Sequence, residues 1–208
     1  MKENNILGVS MYSFDCETTL VDEVFQEVKN LEYAGNEKNA ISMETVYYNE
    51  KLFIWFEECL EEVRKKYYID SVKLDIVACW ANKTNLTQSH HFHKHPNSIV
   101  SGIFYLTEGT GGNTCFFMKD PWLHCTDFLN INKESVPQTN MIKSVVEPKK
   151  GRLLLFPSSI EHSVSLYKST VPRFTIAFNT FVSGDLSNGN NSTLLKLKSE
   201  SVKKKYET

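Results

Sequence analysis

No stretch of this 208-residue chain approaches the ~18–20 consecutive apolar residues that cross a membrane as a helix. The opening Met1-Lys2-Glu3-Asn4-Asn5 has neither an apolar run nor a small-residue cleavage site, so no signal peptide is expected. Cysteine offers no framework: Cys16, Cys59, Cys79, Cys115 and Cys125 are odd in number and show no C-x-x-C spacing. That argues against a zinc ribbon or a dithiol redox motif and fits free thiols in a reducing cytoplasm. A basic surplus is missing too, since 23 Lys+Arg face 25 Asp+Glu for a formal net charge of −2. Nucleic-acid binders usually carry excess positive charge, and the one dense cluster, Lys203-Lys204-Lys205, reads as a solvated chain end. Internal repeats are absent.

What is present suits one globular domain: 41% apolar, 23% charged and 12% aromatic residues, enough to bury a core without staples. Residues 15–68 read as a helical support. Leu20, Val24, Val28 and Leu31 recur at helix spacing, and Leu52, Phe53, Phe56, Leu60 and Val63 form one face of a second helix. In that helix Glu57, Glu58, Glu61 and Glu62 precede Arg64, Lys65 and Lys66, an order that suits the helix dipole. The period then changes to two. Val72, Leu74, Ile76, Ala78 and Trp80 alternate with Lys73, Asp75, Val77 and Cys79. Strand signals follow at 99–106, 114–118, 141–146, 152–156, 162–167 and 173–182. Many short strands between turn residues predict a mainly β domain with flanking helices, its sheets paired as a sandwich or barrel. Residues 119–140, with Pro121, Asn130, Asn132 and Pro137 and no period, read as an inserted loop long enough to serve as a lid. From Ser183 the chain is rich in Ser, Asn and Lys and reads as a flexible tail, with a short helical attempt at 194–198. The expected domain is therefore 1–182, with a β core over 70–182 and a tail over 183–208.

The chemistry concentrates in Gln88-Ser89-His90-His91-Phe92-His93-Lys94-His95-Pro96-Asn97-Ser98, which holds four of the six histidines. On an extended strand His91, His93 and His95 would share a face, and i, i+2 neighbours on one face can reach a single ion. Neutral imidazole suits iron, zinc, copper and nickel. A firm site needs a third ligand, which His162 offers at a strand start after Gly151-Arg152-Leu153-Leu154-Leu155-Phe156-Pro157. His124 falls in the irregular loop and reads as a surface residue. Arg173 opens a strand in which Arg173, Thr175, Ala177 and Asn179 share a face. If that face lines a cavity, Arg173 is a buried cation needing a partner: an internal carboxylate, or a dicarboxylate ligand held by its planar fork.

The ordered set H-x-[DEH], distal His, then Arg resembles the iron(II)- and 2-oxoglutarate-dependent oxygenases. It is most similar to a subfamily frequent in marine bacteria and their phages. The runs that carry the likeness are His93-Lys94-His95-Pro96-Asn97-Ser98, Ser101-Gly102-Ile103-Phe104-Tyr105-Leu106, and Gly151 to Ser158 with His162. They span about residues 70–182. The resemblance implies a double-stranded β-helix (a jelly roll, cupin-like) in a bacterial or phage-host cytoplasm. It implies His93, His95 and His162 as ligands of Fe(II), with the Pro-Asn-Ser register choosing His93 and His95 over His91. It implies Arg173 as the grip on the distal carboxylate of 2-oxoglutarate. Tyr105 matches a tyrosine that hydrogen-bonds the same carboxylate in related prolyl hydroxylases, and Thr175 matches a small hydroxyl position beside it. Trp80 and Asn82 would border the pocket mouth. The implied reaction consumes 2-oxoglutarate and O2, hydroxylates a C–H bond of an unidentified substrate, and releases succinate and CO2.

One departure stands out: the commonest triad is two histidines and a carboxylate, and here the middle position is His95. The cosubstrate therefore rests on Arg173 and the resemblance. A cupin-type metal enzyme without 2-oxoglutarate would share the fold. It usually carries a glutamate a few residues after H-x-H, where this chain has Ser98, Ile99 and Val100. A non-catalytic binding module would be signalled by loss of a ligand or of the arginine, and neither is lost.

Overall fold

The computed structural model describes residues 1–6, 9–35, 43–68, 70–119, 141–187 and 195–205. Strands β1 (Lys2–Ile6) and β2 (Val9–Asp15) precede helix α1 (Thr18–Val28); β3 (Met43–Val46) then precedes helix α2 (Glu50–Tyr67). The remaining strands are β4 (Val72–Thr84), β5 (His90–His93), β6 (Val100–Tyr105), β7 (Thr114–Lys119), β8 (Met141–Val146), β9 (Arg152–Pro157), β10 (Glu161–Val164), β11 (Arg173–Asp185) and β12 (Lys196–Leu197). A 3-10 turn, Val202–Lys205, follows. The larger sheet runs β1-β2-β9-β6-β11-β4-β3, with β12 beside β11, and the smaller runs β5-β10-β7-β8. This is the double-stranded β-helix. No helix among the described residues is long and apolar enough to cross a membrane.

The helices form where the apolar spacing places them. Asn49 caps α2 by accepting a hydrogen bond from the Leu52 N–H at 3.0 Å. Leu52, Phe53, Phe56, Leu60 and Val63 are all buried on the helix face. In α1 the buried residues are Val21, Val24 and Val28, while Leu20 is only partly covered. Both helices pack on the outer face of the larger sheet, where the Phe56 ring lies 4.6 Å from Phe178 and 5.6 Å from Phe104.

Period two explains how the sheet is covered on both faces. From β6, Phe104 turns to the helix-side core, while Ile103 and Tyr105 turn to a second cluster with Met11, Phe116, Leu154 and Phe156. In β9, Leu153 and Leu155 go outward and Leu154 and Phe156 inward, so its apolar run is continuous because both faces are buried. Gly102 pairs with Phe178 across β6 and β11, and a Cβ there would run into the Phe178 ring. The glycine lets that ring lie over the backbone.

Some boundaries move. The region expected as helical contains β3, and a hairpin of β1 and β2 precedes it. Lys2–Ile6 and Met43–Val46 are short edge strands without clean alternation, held by ladders to β2 and β4. The expected boundary at residue 182 falls inside β11, which continues to Asp185. The helical attempt at 194–198 is corrected to a strand: Lys196 and Leu197 pair with Asp185 and Gly184. Val202, 6% exposed, joins the helix-side core. The strand expected at 162–167 stops at Val164, and Tyr167 forms an isolated bridge with Gly111. Apart from Lys119, the 119–140 insertion lies outside the described residues, with His124 and Cys125.

Candidate metal centre

The smaller sheet supplies the histidines. In β10, His162 is the Cα partner of His93 on β5 and of Phe116 on β7. The rings of His93 and His162 stand 4.2 Å apart, His93 and His95 4.9 Å, and His95 and His162 5.1 Å. One ring nitrogen from each of the three lies within 4.8 Å of the other two, so the set could hold a metal ion.

The simple parity expectation needs correction. His91, His93 and His95 do not share the face of one strand. His93 opposes His162 while His90 opposes Val164, so three steps on β5 match two on β10, and the register slips. His90 thereby lines the cavity with His93, and His91 is left exposed. His95 lies beyond the end of β5. Its segment is fixed instead by its N–H donating to the Ser158 carbonyl at 3.1 Å. Asn97 then turns the chain at φ 55°, a left-handed conformation asparagine tolerates. Ser98 and Ser101 hydroxyls both meet Ser158 Oγ, at 2.6 and 2.8 Å, and Ser101 donates to Asn179 Oδ1 at 2.7 Å. The Pro-Asn-Ser run and the Pro-Ser end of β9 are thus two halves of one clasp behind His95.

Each ring is prepared for coordination. His93 Nδ1 stands 2.9 Å from the His91 carbonyl and His162 Nδ1 3.0 Å from that of Ile160. A ring N–H donating there leaves Nε2 as the free lone pair. Burial holds the imidazoles neutral: it lowers His162 to about 3 and His95 to about 4, with smaller lowering from neighbouring histidines. His93 is lowered for the same first reason.

The larger sheet closes a cavity of ≈270 Å³ over these rings with Arg173, Thr175, Asn82 and Trp80. Trp80 lies 5.8 Å from the His95 ring. Thr175 is the Cα partner of Tyr105 on one side and Asn82 on the other. Arg173 is 2% exposed, forms no ion pair among the described residues, and leaves its Nε without a hydrogen-bond partner. Desolvation lowers its pKa, opposed by Tyr105 and Tyr167. Its Cζ lies 5.4 Å from the Tyr105 ring centre. Tyr105 is fully buried behind it, and its hydroxyl meets Thr114 Oγ1 at 2.6 Å. Gly112, at φ +66°, admits the arginine: a Cβ would stand 3.0 Å from Arg173 Cδ.

Sequence reasoning missed Glu44 and Thr84, which also line the cavity. Glu44 sits in the unpatterned β3, and Thr84 reaches the site by pairing with Arg173 across β4 and β11. Neither carries a local signal.

Residues 78–179 match the family described as "Putative 2OG-Fe(II) oxygenase". None of the curated proteins matches the chain. Among solved structures the chain is similar to the non-heme alpha ketoglutarate dependent epimerase SnoN from nogalamycin biosynthesis, with TM-score 0.61 and 11% identity over 91% of each chain. It is also similar to a prolyl-4-hydroxylase of Pseudomonas putida, with TM-score 0.59 and 14% identity over 81% of this chain and 91% of that one. HygX of Streptomyces hygroscopicus, with nickel and 2-oxoglutarate bound, gives TM-score 0.57 and 11% identity over 91% of this chain and 93% of that one. At such identities these likenesses establish the fold. The family match runs across the sheet core and both halves of the histidine set, so over residues 78–179 the chain is similar to the 2OG-Fe(II) oxygenase family.

Proposed function

We propose that His93, His95 and His162 hold the ferrous ion, that Arg173 with Thr175 receives the distal carboxylate of 2-oxoglutarate, and that the enzyme hydroxylates a C–H bond of its substrate. One observation carries this reading. A buried arginine without an acidic partner among the described residues faces the same cavity as three neutral imidazoles. A buried guanidinium without a counter-charge is costly, and a carboxylate forked onto it would offset that cost. Three imidazole nitrogens are a donor set that iron accepts, so the residues fit the family's metal.

Bound iron would supply oxygen activation, with 2-oxoglutarate as the two-electron reductant: one oxygen atom enters succinate and the other the substrate, with loss of CO2. The chain's own part is to orient and to exclude water. The carbonyls of His91 and Ile160 fix two ring planes, and the Ser158 clasp fixes the segment bearing the third. Tyr105 supports Arg173 from behind and acts as a positioning residue. Trp80 and Asn82 line the side left for substrate. The described thiols, including buried Cys59, Cys79 and Cys115, are free, which suits a reducing compartment, and a cytoplasmic location is part of the proposal.

The test is anaerobic. Metal-free protein receives ferrous iron and 2-oxoglutarate, and the visible metal-to-ligand charge-transfer band is followed. A band lost in both Arg173→Ala and His162→Ala supports the assignment. Tight iron binding with no band would move the reading to a cupin-type enzyme without 2-oxoglutarate.

A further inference from the structure

We propose that the chain carries a second divalent-metal site, formed by His90, His91 and His93 with the Glu44 carboxylate beside them, and that it excludes occupancy of the His93–His95–His162 site because both need His93.

The register slip in β5 creates this second set. It brings His90 to the His93 side of the strand and crowds His91 against both. The rings of His90 and His91 are stacked at 4.8 Å and 17°, with His90 4.6 Å and His91 5.4 Å from His93. One ring nitrogen from each lies within 4.8 Å of the other two, the same closeness as in the inner set. A carboxylate stands beside this set from the opposite sheet. Glu44 Oε1 lies 4.0 Å from His90 Nδ1, and Glu44 also interacts electrostatically with His91.

The two sets differ in access and charge. The inner set ends on His162, 3% exposed, and contains only neutral rings. The outer set includes exposed His91 and a carboxylate that can offset part of an ion's charge. An ion arriving from solvent meets the outer set first. Exclusion follows from His93 itself: its Nδ1 faces the His91 carbonyl at 2.9 Å, leaving Nε2 as its one ligating atom. An ion held outside withdraws a ligand from the inner set. Nickel, copper and zinc bind imidazole more tightly than ferrous iron does, so they are the ions expected to occupy it.

The experiment is calorimetric titration of metal-free protein with Ni²⁺ alone. Wild type is expected to bind one ion. His95→Ala and His162→Ala each disable the inner set by a different residue, and each is expected still to bind one ion. His91→Ala, which disables the outer set, keeps one ion as well. The double variant His91→Ala/His95→Ala is expected to bind at least 100-fold more weakly than either single variant. Glu44→Gln should weaken Ni²⁺ about tenfold in the His95→Ala background and leave the His91→Ala background unchanged. Failure of both His95→Ala and His162→Ala, each folded by circular dichroism, to bind Ni²⁺ would overturn the outer site. Two ions on wild type would overturn exclusion, and Glu44→Gln without effect in the His95→Ala background would remove the carboxylate. Turnover is not read, so these results stand apart from the assignment of 2-oxoglutarate.

Discussion

His93 and His162 are direct Cα partners across β5 and β10, with ring centres 4.2 Å apart, each ring facing a backbone carbonyl at its Nδ1. A pair fixed this way needs little reorganisation to accept an ion. His162→Ala should therefore weaken ferrous iron at the inner site by more than the ~10–100-fold typical of losing an outer-shell partner. Anaerobic iron titration of the variant in the His91→Ala background, which lacks the outer set, with circular dichroism to show a retained fold, measures this. Unchanged iron affinity would remove His162 from the site.

Arg173 makes an opposite prediction for the empty and the loaded protein. A buried guanidinium without an acidic partner carries an uncompensated desolvation cost, which an apolar side chain of similar length removes. Arg173→Met should accordingly melt no lower than wild type without ligand. Only wild type should gain melting temperature on adding 2-oxoglutarate, about 2.7 kcal/mol of stabilisation at 100 times the Kd. Equal gains in both proteins would show that the arginine does not bind the cosubstrate.

The neutral histidines set an acid limit on the metal-free protein. His162 near 3 and His95 near 4 lie below the ordinary 6.5. Between these values the unfolded chain binds protons that the folded chain does not, so stability rises with pH there. The contribution is intact above about 6.5 and is lost as pH falls towards 4. Urea midpoints at pH 7 and pH 5 should show the drop, and His95→Ala should reduce it. A flat profile would contradict the burial argument.

Ser158 tests the clasp behind His95. Its hydroxyl, fully buried, meets those of Ser98 and Ser101. Ser158→Ala removes two buried hydrogen bonds, leaving Ser101 its bond to Asn179, and should cost about 1–3 kcal/mol of stability. It should also loosen iron by ~10–100-fold, because the His95 segment loses its anchor. Denaturant melts and iron titration separate the two effects. A stability loss with unchanged iron affinity would confine Ser158 to the fold.

Much of this was readable in residue order. The helix face of Leu52, Phe53, Phe56, Leu60 and Val63 follows from local geometry, as does the alternation from Val72 to Ile76; beyond Ile76 a register shift against β11 breaks it, so Cys79 and Ala81 join the helix-side core and Trp80 lines the cavity. The strands Lys2–Ile6 and Met43–Val46 were not readable, because edge strands without an apolar face are held by ladder hydrogen bonds to a neighbour. Glu44 was hidden for the same reason.

Residue order alone carries the inventory: three well-placed histidines, a later arginine on an alternating strand, and enough apolar periodicity to bury them in a β fold. Which side chains meet depends on how the strands pair. Alternation is written in the chain, but the face a residue finally presents depends on register with the next strand. Here the register slips between His90 and His93, so His90 enters the cavity, His91 stays outside, and His95 arrives from beyond the strand end on a clasp closed by Ser158. Arg173 likewise became informative only when folding buried it and left it without an acidic partner among the described residues, since isolation is a property of surroundings and not of sequence position.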